Sequence, residues 1–167
     1  VAFGGQGKTP TTLVYRAAGK AARVLTTKGG QQLALDRGRV AFVREGDATA
    51  GTCGLSQLQV LRVSGGAAKT LAQHTCGMDM QAITLPNFIG NQIVYGVRGL
   101  EGQTVHRIPV AGGKNESAKV KVAFSQFAAT SRSGGKYTDG LWYSERESGT
   151  ADDWSLGLVI GLPFGQK

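Results

Sequence analysis

Asp36-Arg37-Gly38-Arg39-Val40-Ala41-Phe42-Val43-Arg44-Glu45-Gly46-Asp47, followed by Leu58-Gln59-Val60-Leu61-Arg62-Val63-Ser64-Gly65-Gly66, is the stretch that decides the fold. A Gly-containing turn leads into four consecutive apolar residues. A polar loop follows, then a second apolar run, then Gly-Gly. Val40 to Val43 does not alternate between apolar and polar, as expected of a short strand covered on both faces. Gly-Gly between apolar runs is a hairpin signal, because glycine supplies the positive φ that tight turns need.

The same order recurs along the chain. Val1-Ala2-Phe3-Gly4, Ile93-Val94-Tyr95-Gly96 and Leu141-Trp142-Tyr143-Ser144 match Val40 to Val43. Leu13 to Arg16, Val105 to Val110 and Leu156 to Ile160 match the second run, and Arg23 to Thr26, Lys69 to Ala72 and Lys119 to Val122 give a third. Gln31 to Leu35 and Met80 to Leu85 supply one more strand ahead of two of the units. The turn glycines Gly19, Gly65 and Gly112 lie 46 and 47 residues apart, so the period is about 47. Loop length, not strand content, accounts for its variation.

Four short strands repeated at this period predict an all-β chain of β-propeller blades, each a four-stranded antiparallel meander. The expected units are approximately 1–29, 30–77, 78–126 and 127–167, in one domain of about 3.5 blades. The first unit lacks its first strand and the last lacks its fourth, giving fourteen strands with open blade edges, as in a piece of a larger propeller or a chain whose ends pair with another chain. The chain opens on Val1 without an initiator Met, as a mature or truncated chain would. A helix is the competing reading of Ala17 to Leu25, but Gly19 interrupts it.

Composition agrees with many turns and a real core. Glycine accounts for 26 of 167 residues, hydrophobic residues for 41% and charged residues for 18%. This excludes a disordered chain. No apolar run reaches the roughly 18 residues of a membrane helix.

The segments 36–47 and 58–66, with Lys69-Thr70-Leu71 after them, resemble the WD40-like repeats of TolB-type β-propellers. The resemblance covers nearly the whole chain in three good copies and a partial one. It implies a binding or scaffolding propeller, often exported and sometimes attached to a peptidase domain. The motif specifies fold better than function.

Candidate chemistry is sparse. Cys53 and Cys76 are the only cysteines. A four-stranded meander brings their two connections to one end of the same blade, which predicts a disulfide and an extracytoplasmic location, secreted, periplasmic or at the cell surface. His74 and Asp79 flank Cys76, yet they supply too few ligands for a structural zinc site. His106, mid-strand beside Arg107, reads as a packed residue. Glu145, Glu147, Asp152 and Asp153 surround the last long loop and could act as paired carboxylates; a solvated acidic loop is the plainer reading. Trp154 beside them could face a glycan or pack on its blade. His74, Asp79, Glu147, Asp152, Asp153 and Trp154 are therefore the candidate residues of ligand-facing loops. Asn115-Glu116-Ser117 is a formal glycosylation sequon, expected in a turn.

Net charge is +8. Lys114, Lys119, Lys121, Arg132 and Lys136 form a basic patch that suits an anionic polymer or is simply a solvated face. Ala2 to Thr9 resembles a relaxed P-loop, but Pro10 and the β-branched residues after it argue against the helix that phosphate binding requires. No nucleotide, cofactor, metal or catalytic set is expected. The expected function is a non-catalytic exported module for protein binding, scaffolding or surface assembly. The alternatives are the propeller portion of a glycan- or peptide-processing enzyme, and polyanion binding through residues 114–136.

Overall fold

The computed structural model describes residues 2–3, 11–45, 54–75, 82–99, 102–120, 126–130, 140–146 and 154–160. All of the regular structure among them is strand. The strands fall into four antiparallel sheets whose spatial order follows chain order. The first sheet contains β1 (Ala2–Phe3), β2 (Thr11–Tyr15) and β3 (Arg23–Gly29). The second contains β4 (Gln31–Asp36), β5 (Arg39–Glu45), β6 (Leu55–Arg62) and β7 (Lys69–Thr75). The third contains β8 (Ala82–Ile89), β9 (Gln92–Gly99), β10 (Gly102–Pro109) and β11 (Glu116–Val120). The fourth contains β12 (Gln126–Thr130), β13 (Gly140–Arg146) and β14 (Trp154–Ile160). The all-β class and the four-stranded antiparallel meander are both present. The described strands do not close into a barrel or a ring.

The sheets stack through their faces. β4 packs against β8, and β8 against β12, so the first strands of successive sheets are neighbours. β5 shows why its sequence lacks alternation. Val40 and Phe42 join Leu13 of the first sheet in one core, with Leu61 beside them. Ala41 and Val43 join Ile83, Ile93, Tyr95 and Ile108 of the third sheet in another. Successive side chains point to opposite faces of a strand, and here both faces are covered. Each fully buried side chain of this size contributes about 1.5–3 kcal/mol through removal of apolar surface from water.

Turn chemistry follows the glycines. Arg37 and Gly38 both have positive φ, 44° and 73°, and form a two-residue hairpin turn of type I′. Gly30 serves a different need. A Cβ there would lie 1.7 Å from the Val43 carbonyl oxygen, so only glycine lets the chain pass from β3 to β4 against β5.

Several strand boundaries differ from the sequence reading, and two of the differences have a plain physical cause. β8 runs on to Ile89 despite Pro86, because a register shift between Thr84 and Asn87 takes the missing N–H out of the ladder. β11 starts at Glu116 rather than Lys119. Its first rung, Arg107 opposite Glu116, is closed by a side-chain ion pair of 2.7 Å. The sequon is accordingly only partly in a turn: Asn115 precedes the strand, while Glu116 and Ser117 lie within it.

Candidate functional site

The seam between the second and third sheets carries the polar groups that the two cores leave over. Its floor is the apolar cluster around Val43, Leu58, Ile93 and Ile108. One buried hydrogen bond crosses the seam directly: the Ile83 amide donates to Ser56 Oγ at 3.1 Å.

Three rings meet over this floor. Antiparallel pairing sets His106 of β10 opposite Tyr95 of β9, and their rings stack with centroids 5.1 Å apart. His74 of β7 meets the His106 ring edge-on at 5.5 Å. Asn115 Nδ2 donates to the Tyr95 hydroxyl at 2.6 Å. Burial raises the Tyr95 hydroxyl to about 12, and the Asn115 bond offsets this in part. Burial also lowers the His106 imidazole to about 4. The neighbouring His74 lowers it further, and Asn115 acts weakly in the opposite direction. His106 Nε2 lies 2.9 Å from Thr104 Oγ1, whereas Nδ1 is buried without a hydrogen-bond partner. The imidazole is thus held neutral at ordinary pH.

The tight turns of both sheets emerge at one end of the seam. There a cleft of about 640 Å³ opens, lined by Arg39, Arg62 and Lys69 together with Val60, Leu61 and Val110. Arg39 stands directly opposite Arg62 across the β5–β6 ladder. Like charges in that position repel. Arg39 is held by Asp36 Oδ2 at 3.2 Å and by the Gly90 carbonyl at 3.2 Å, and its guanidinium lies 5.3 Å over the Phe88 ring. Arg37 Nε lies 3.9 Å from the same Asp36 oxygen. Lys69 Nζ donates to the Ala111 carbonyl and so spans the two sheets.

The structure sorts the residues singled out in the sequence. His74 lies in the ring cluster rather than in a loop. His106 is packed, as expected, with His74 and Tyr95 as its ring neighbours. Lys114 is exposed and 3.6 Å from Glu116. Glu116 is acidified chiefly by its bond to Arg107. Lys119 lies in β11 and Trp154 opens β14. Cys53, Cys76, Asp79, Lys121, Arg132, Lys136, Glu147, Asp152 and Asp153 lie outside the described residues. The β6–β7 ladder ends with Leu55 opposite Thr75. β2 occupies the place after Thr9 and Pro10 where a P-loop would need its helix. No metal-binding cluster occurs among the described residues.

Sequence reasoning missed Arg39, Arg62 and Tyr95. The signal for the arginines was present: pairing 40–43 with 58–61 in a hairpin sets residue 39 against residue 62. No protein-family model matches the chain, and no curated protein matches it.

Proposed function

We propose that the chain is a run of β-propeller blades acting as an extracytoplasmic, non-catalytic module that binds a protein partner or assembles with further copies. The observation that carries this reading is the abutment of successive first strands, β4 on β8 and β8 on β12, with β5 covered on both faces. Sheets arranged this way can follow one another about an axis, and propellers are built so. The resemblance to TolB-type repeats supports the same reading. The Leu55–Thr75 rung supports a Cys53–Cys76 disulfide, since each cysteine lies within two residues of it. Such a bridge belongs to an oxidising compartment.

Two measurements test the proposal. The purified chain is expected to turn over neither peptide nor glycoside substrates. Turnover that disappears in Glu147→Gln or Asp152→Asn would replace the module with the propeller portion of a hydrolase. Thiol labelling of the unreduced protein is expected to find no reactive cysteine, and two reactive thiols would refute the bridge.

A further inference from the structure

The cleft at the turn end of the seam holds more positive charge than its surroundings neutralise. Arg39 and Arg62 face each other across the ladder. Lys69 lines the same space. A second hollow beside it is lined by Arg37, Arg39 and Arg62. Among the described residues, Asp36 is the carboxylate that ion-pairs with these cations, and it serves Arg39 and Arg37 together. Glu116 is engaged by Arg107 and Lys114. A like-charge pair set opposite in a ladder lowers stability unless an anion lies nearby.

We propose that this cleft binds an acidic peptide segment, with a carboxylate between Arg62 and Lys69 and an adjacent apolar side chain against Val60 and Val110. Two features favour a peptide over a purely ionic polymer. The wall beside the cations is apolar, so the ligand must bring an apolar group next to its charge. Arg62 presents a planar fork that matches a carboxylate with two parallel hydrogen bonds. The Gly65-Gly66 turn at the rim adds open backbone, since a Cβ on either glycine would meet nothing within 4 Å. The site is separate from the basic stretch at 114–136. It names a partner class for the module proposed above and rests on that reading.

The test uses fluorescence anisotropy with a labelled peptide that alternates Glu and Leu. The comparison ligands are its Gln-Leu counterpart, inorganic phosphate and a sulfated polysaccharide. The Glu-Leu peptide is expected to bind, and the Gln-Leu peptide to bind at least about tenfold more weakly. Arg62→Ala combined with Lys69→Ala should cost a similar factor, whereas Lys114→Ala should leave affinity unchanged. Rising salt should weaken binding. Binding that ignores the double substitution would overturn the proposal. So would a sulfated polysaccharide that binds through Arg62 and Lys69 as tightly as the peptide. A peptide that is bound and then cut would overturn the non-catalytic reading and leave the cleft standing. A peptide neither bound nor cut would overturn the cleft alone.

Discussion

Acid should weaken this fold through one imidazole. His106 is held at about 4 in the folded chain, against about 6.5 for a free histidine. Above pH 6.5 the residue is neutral whether folded or unfolded, and it contributes no pH dependence. Below that value the unfolded chain takes up a proton that the folded chain refuses, so stability falls until pH reaches about 4, where both states are charged. The gap corresponds to about 3 kcal/mol. The ring keeps some contact with water at the seam, which reduces the expected figure to about 2 kcal/mol. His106→Phe keeps a ring on Tyr95 and removes the titration. Urea unfolding of both proteins from pH 7.5 to pH 4 measures the difference. The wild-type chain should lose about 2 kcal/mol more than the variant, with the loss falling between pH 6.5 and 4. Parallel losses in the two proteins would refute the assignment. His74→Ala should recover part of the effect, because it removes the neighbouring charge that opposes protonation of His106.

Three further outcomes follow from the packing. Gly30→Ala places a methyl group into the Val43 carbonyl and should destabilise the chain by about 3 kcal/mol or prevent folding, as read from thermal melts. Ser56→Ala leaves the Ile83 amide without its acceptor across the seam and should cost about 1–3 kcal/mol in urea unfolding. Arg37→Asn relieves a positive-φ position in the type I′ turn and one like charge near Arg39, and should raise stability by about 0.5–1 kcal/mol.

Much of the architecture was legible because period and turn chemistry are local signals. Gly19, Gly65 and Gly112 mark one hairpin in three successive sheets, and all have positive φ. The Val40–Val43 run announced a strand buried on two sides. Strand ends were less legible. The run from Met80 to Leu85 stops before Pro86, whereas a register shift lets the strand continue to Ile89. Glu116 looked like a turn residue because its partner, Arg107, lies nine positions away on another strand. The site was hardest to see. His74, Tyr95 and His106 come from three strands in two sheets, and no spacing in the sequence encodes how one sheet slides over the next. The basic stretch at 114–136 drew attention because its charges are close in sequence. The cations of the cleft are scattered from 39 to 69 and meet only through the ladder and the seam.

β5 divides its side chains between two neighbours, and this has a consequence for how the chain can change. An extra residue in that strand would send Val40 and Phe42 to the third sheet and Ala41 and Val43 to the first. Both cores would then be misfilled at once, one with a ring too many and the other with a hole. Sheets joined in this way share their fate with the next sheet along. A lesion in the second sheet should therefore spread to both neighbours.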